Sequence, residues 1–130
     1  MSTSFEASFP ADPTAPAFAR RAIREFLRSH GADPRALADV MLALSEVVTN
    51  AVVHGYRGGT GEVRVAAEHS HDELLLSVTD HGQGMAPRHD SPGLGLGLPL
   101  VGRIAKRVDI TAEVGGGTLV SMCFTLDHAD

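Results

Sequence analysis

An α/β fold, a two-layer sandwich of a mixed, mainly antiparallel sheet with helices on one face, is the architecture this sequence predicts. Three observations predict it. Apolar residues recur at three- and four-residue spacing through the first 54 residues, which hold a single glycine, Gly31. Beyond Gly61 the period changes to two. The alternating stretches form two hairpins, and a glycine-rich segment and a short apolar helix separate them. At 130 residues the chain is long enough for one domain with its own core, and no internal repeat divides it.

Residues 3 to 9 suit an edge strand. After the proline-rich stretch Pro10 to Pro16, a first helix is expected over Phe18 to His30, with Phe18, Ala22, Ile23, Phe26 and Leu27 on its apolar half. Arg20, Arg21, Arg24 and Arg28 share an arc of roughly 100° on the other side. That arc reads either as a solvated face or as a contact for an acidic protein. A second helix is expected over 34 to 54, where Asp33 can cap it, Pro34 suits its first turn and Gly55 can close it. Its buried stripe is Leu37, Val40, Met41, Leu44, Val47, Val48, Ala51 and Val52. Glu46, Asn50 and His54 follow one another at four-residue steps along one edge of that stripe, either as a polar flank or as a row that reaches a ligand.

Val63, Val65 and Ala67, then Leu74, Leu76 and Val78, alternate with polar neighbours across a turn at His69 to Asp72. Val108, Ile110, Ala112 and Val114, then Val120, Met122, Phe124 and Leu126, form a second hairpin around Gly115, Gly116 and Gly117. Between the hairpins lies the glycine-rich loop Gly82 to Gly97, followed by a helix from about Leu98 to Arg107 with Pro99 in its first turn.

Composition excludes several functional classes. A net charge of -5 argues against nucleic acid as the main ligand, because duplex binding depends on a basic surface. Apolar runs such as Leu74 to Leu76 and Leu98 to Val101 are far shorter than the roughly 20 residues that cross a bilayer, so no membrane span is expected. Met1 to Pro10 carries no secretory pattern, which makes the cytoplasm the expected location. Cys123 is the single cysteine, so neither an internal disulfide nor a cysteine-rich metal site can form. The seven histidines show no HExxH or His–Cys cluster and predict no zinc site; His69 and His71 read as part of a solvated turn.

A glycine loop between a strand end and a helix start suits phosphate, since glycine lets the backbone approach closely and the helix N-terminus offers unpaired amides. The familiar phosphate motifs are absent. Gly93, Gly95 and Gly97 run as GxGxG, and Gly97 to Gly102 is followed by Arg103.

Three separated elements together resemble the GHKL superfamily, the ATP-binding fold shared by gyrase, the heat-shock chaperone, histidine kinases and the MutL repair protein. Glu46-Val-Val-Thr-Asn50-Ala51-Val-Val-His54 looks like its N box, Asp80-His-Gly82-Gln-Gly84-Met85 like its DxGxG box, and Gly93-Leu-Gly95-Leu-Gly97 like its second glycine box. Thr118 matches a threonine that contacts the adenine region in such proteins. The resemblance covers residues 15 to 126 and implies ATP and Mg²⁺ as ligands.

Residue by residue, it implies Asn50 as the Mg²⁺ ligand through its amide oxygen. Asp80 would accept from the adenine amine and repel the O6 of guanine. Gly82 and Gly84 would let the backbone pass the nucleotide. Gly93 and the amides of Gly95, Leu96, Gly97 and Leu98 would meet the phosphates, while the leucine side chains pack. His54 would line the pocket, and Glu46, one turn before Asn50, would act as general base near the terminal phosphate.

A free-standing domain of this length is similar to the bacterial anti-sigma-factor serine kinases, which sequester a sigma factor and phosphorylate a serine on a small antagonist protein. A homodimer is also implied. Such kinases often carry an arginine just before the second glycine box; here Asp90, Ser91 and Pro92 stand there, and Arg88 is the candidate substitute. Without that arginine the alternative is a nucleotide-gated binding module with little phosphotransfer.

Overall fold

The computed structural model describes residues 2–55, 61–81, 98–114 and 116–126. Strand β1 (Ser2–Pro10) leads into helices α1 (Ala15–Arg28) and α2 (Pro34–Gly55). Hairpin β2 (Glu62–Ser70) and β3 (Glu73–Asp80) follows, then helix α3 (Leu98–Ile104) and hairpin β4 (Arg107–Ala112) and β5 (Thr118–Thr125). The strands form one sheet in the order β1-β2-β3-β5-β4. All four ladders are antiparallel, so the parallel component of a mixed sheet has no counterpart among the described residues.

Alternation decides which sheet face is covered. Val63, Val65, Ala67, Leu74, Leu76, Val78, Val120, Met122 and Phe124 point to one side and are buried. Against them lie Ile23 and Leu27 of α1 and Val40, Leu44, Val47 and Val48 of α2, each 1% exposed or less. Burying one such side chain stabilises by roughly 1.5–3 kcal/mol. Helix α2 is the centre of this layer and packs on α1, α3 and strands β2, β3 and β5. Its residues Pro34–Val53 reach a mean hydropathy of 1.6 over a length able to cross a bilayer, which the short apolar runs in the sequence do not suggest. The apolar stripe of that stretch is packed into the core against the sheet and α1.

Helix α1 starts three residues earlier than its apolar pattern implies, because Pro16 sits in its first turn instead of preceding it. The buried face shifts accordingly to Ala15, Ala19, Ile23, Phe26 and Leu27, and Phe18 is 44% exposed. Arg20 leaves the solvated arc: its Nη1 donates to Ser45 Oγ at 3.0 Å, and Ser45 Oγ donates back to Met41 O at 2.8 Å, tying α1 to α2. Helix α3 stops before Arg107 because the Lys106 amide donates to Cys123 O at 2.7 Å and opens the β4–β5 ladder. Val114 lies in the following turn, not on the strand, and is fully exposed.

The β2–β3 turn is tight, with only His71 and Asp72 between the strands. His69 is therefore part of β2, where it is half-buried. His71 adopts a left-handed φ of 56°, a conformation that strains residues with a Cβ. His71→Gly is expected to raise stability by about 0.5–1 kcal/mol, the relieved strain outweighing the added freedom of the unfolded chain. The midpoint of urea unfolding checks this, and an unchanged or lower midpoint contradicts it.

Candidate functional site

Three polar side chains are buried among the described residues: Asn50 at 8% exposure, Asp80 at 2% and Thr118 at 1%. All three are residues that the sequence assigns to nucleotide binding. A polar group left in the core without a partner costs roughly 1–3 kcal/mol, which makes the Thr118 hydroxyl the one of the three whose burial asks for a role.

Helix α2 positions the first of them. Val47, Val48 and Ala51 anchor the helix in the core, and the four-residue step from Glu46 to Asn50 places both on one side of it. Glu46 is half-buried, one turn before Asn50. His54 lies one further turn along the same helix.

The other two side chains meet across a ladder. Asp80 ends β3 and Thr118 opens β5, and the two are direct partners in the antiparallel register. Directly opposed residues have side chains within about 5.5 Å. The Thr118 hydroxyl has no hydrogen-bond partner among the described residues. A buried carboxylate that only accepts, beside an unused hydroxyl that both donates and accepts, fits the edge of a purine with an exocyclic amine. Asn50 adds a neutral amide oxygen of the hard type that Mg²⁺ takes alongside phosphate oxygens. The side chains present therefore fit a Mg–nucleotide complex.

Gly117, which the sequence marks only as a turn residue, has a second role. Its φ is +98°, and a Cβ there would stand 2.2 Å from the Asp80 carbonyl oxygen and 2.9 Å from His81 Cα. The β5 backbone thus lies directly against the end of β3, and only glycine permits that approach. The one signal in the sequence is its place immediately before Thr118 in a run of three glycines.

Gly82, Gly84, Arg88, Gly93, Gly95, Leu96 and Gly97 lie outside the described residues. Leu98 begins α3, and helix α3 packs against α2.

Known proteins resemble this chain in sequence and in fold. A family model described as the histidine kinase-like ATPase domain matches residues 9–124. An anti-sigma F factor of Clostridium beijerinckii is 33% identical over 116 residues, covering 80% of this chain and 81% of that protein. One from Clostridium acetobutylicum is 30% identical over 133 residues, covering 94% and 93%. Among solved structures, the RsbU and RsbW domains of a Mycobacterium tuberculosis protein match with a TM-score of 0.76 and 30% identity over 95% of this chain. The chain spans 32% of that longer protein. With the family pattern running through α2, both hairpins and the buried polar trio, the chain belongs to the histidine kinase-like ATPase domain family.

Proposed function

We propose that this chain is an anti-sigma factor that binds Mg–ATP and phosphorylates a serine on a small antagonist protein. The observation that carries the nucleotide part is the coincidence of the three buried polar side chains with the expected adenine and metal contacts. The similarity to anti-sigma F factors over most of both chains supports the partner assignment.

Each residue has a distinct task in this reading. Asp80 accepts a hydrogen bond from the adenine amine and rejects guanine, whose O6 would face the carboxylate. The Thr118 hydroxyl completes the purine edge. Asn50 would hold Mg²⁺ through its amide oxygen, and the ion would supply positive charge against the phosphates. Glu46 takes the proton from the attacking serine hydroxyl as that oxygen bonds to the γ-phosphorus of ATP and the bond to the β–γ bridging oxygen breaks, releasing ADP. The Gly82–Gly84 and Gly93–Gly97 boxes cradle the phosphates with backbone amides, Arg88 meets the terminal phosphate, and His54 lines the pocket. Arg21 and Arg28, exposed on α1 with Arg24 half-buried beside them, offer a basic face to an acidic partner protein.

Thermal unfolding with Mg-ATP, Mg-ADP and Mg-GTP tests the pocket. A ligand at 100 times its dissociation constant stabilises by about 2.7 kcal/mol, which raises the midpoint of a domain this size by several degrees. ATP and ADP are expected to give that shift and GTP none. Asp80→Asn is expected to remove the shift, because the substituted amide no longer offers a purely accepting charged group, a contact worth roughly 1.5–3 kcal/mol. No shift with any nucleotide would overturn the ATP-binding reading.

A further inference from the structure

Away from the nucleotide site, two histidines that are far apart in sequence come together where α1 ends against the sheet. His30 follows the last turn of α1 and His69 lies in β2; both are half-buried, and their ring centres are 5.1 Å apart with the planes inclined at 57°. We propose that this pair is a binding site for a divalent transition-metal ion of the imidazole-preferring class, such as Zn²⁺, Ni²⁺ or Cu²⁺.

Three features carry the proposal. The first is distance. A metal about 2.0–2.1 Å from an imidazole nitrogen lies roughly 3 Å from that ring's centre, so two imidazoles at a tetrahedral angle have centres about 5 Å apart. The observed separation of 5.1 Å matches that spacing.

The second is the tautomer. His30 Nδ1 lies 2.7 Å from Phe26 O and 3.0 Å from Ser29 Oγ. A carbonyl oxygen only accepts, so Nδ1 carries the hydrogen, and in the neutral ring Nε2 is then the nitrogen with the lone pair. A ligating histidine held by a backbone carbonyl through its other nitrogen is the usual outer-shell arrangement of metal sites. Ring packing fixes the orientation further: His30 lies 4.6 Å from Phe26, and Phe26 lies 5.8 Å from Phe5 of β1. Ligation takes one of the two ring nitrogens of His69 and leaves the other to its own partner.

The third is field and rigidity. The C-terminal end of α1 presents the negative end of the helix dipole to a cation, and both ligands stand on or beside regular elements. Among the described residues no third histidine, cysteine, aspartate or glutamate joins the pair, so water completes the coordination. Mg²⁺ prefers oxygen ligands and is not expected here. A bound ion would join the end of α1 to β2, and α1 carries Arg21, Arg24 and Arg28.

The test uses the full, nucleotide-free chain without an affinity tag, titrated with Zn²⁺ while the histidine ring resonances are followed by NMR. The expected result is that the His30 and His69 rings shift together at one Zn²⁺ per chain, and that Mg²⁺ at the same concentration moves neither. Calorimetry with Ni²⁺ should show binding weakened at least about tenfold in His30→Asn and in His69→Asn, and unchanged in His71→Asn, whose exposed ring lies in the neighbouring turn. Unmoved rings at saturating Zn²⁺ would overturn the site, as would shifts confined to other histidines or full affinity in both variants. The ring shifts of the unmodified protein decide the question even if a variant folds poorly.

Discussion

Glu46→Ala is expected to slow phosphoryl transfer to the antagonist by roughly 10²–10⁴-fold, the usual contribution of a positioned general base. Nucleotide binding should survive, because the carboxylate is assigned to the proton and not to holding the phosphates. Alanine is also the best helix former, so α2 tolerates the change at a half-buried position. Single-turnover transfer of labelled phosphate, followed beside the ATP-induced thermal shift, separates the two roles. Transfer at the normal rate would remove Glu46 as the base. Loss of the thermal shift would make it a binding residue. Unmodified protein that binds ATP and its partner but transfers no phosphate would match a nucleotide-gated binder, in keeping with the absence of an arginine directly before Gly93.

Gly117→Ala carries the second large effect, and it acts through the backbone. The new methyl group would stand 2.2 Å from the Asp80 carbonyl oxygen, and the positive φ adds strain of its own. Strain in that region costs about 1–3 kcal/mol and overpacking about 1–3 kcal/mol, so a loss of about 2–6 kcal/mol in folding stability is expected. Because relief requires β3 and β5 to separate at the Asp80–Thr118 pair, adenine selectivity should fall with stability. The checks are the thermal midpoint and the ratio of ATP to GTP affinity in whatever fraction remains folded. A folded variant with the original midpoint and selectivity would show that the close approach does not matter.

The elements that local periodicity can specify were legible in the sequence. Helix α2 announces itself through its apolar stripe, Asp33 and Pro34, and its observed span, Pro34–Gly55, agrees with that reading. Both hairpins follow from two-residue alternation. Boundaries moved where a neighbour intervened: Pro16 joined α1, and Arg107 was drawn into the ladder with Cys123. The β3–β5 pairing was not legible, because no local pattern ties residue 80 to residue 118. Asp80 shares the parity of Leu74, Leu76 and Val78, and Thr118 that of Val120, Met122 and Phe124, so two-residue alternation already puts both on the buried face, whereas the crowding at Gly117 shows only in three dimensions. His69 was misread for a related reason: a polar residue beside a turn looks solvated until a helix end is seen to cover it.

Pairing of β3 with β5 also has a consequence for how such a domain can diversify. Asp80 and Thr118 are partners in the central ladder, yet the chain between them includes the glycine boxes, α3 and the edge strand β4. The entropy lost on closing a flexible loop grows only logarithmically, by about 0.6 kcal/mol for each doubling of its length. Lengthening the connection between the two strands would therefore cost little, while the ladder that sets Asp80 beside Thr118 keeps its register. On the proposed nucleotide reading, the choice of base would rest on that ladder and would stay constant while the connection between its strands changes in length.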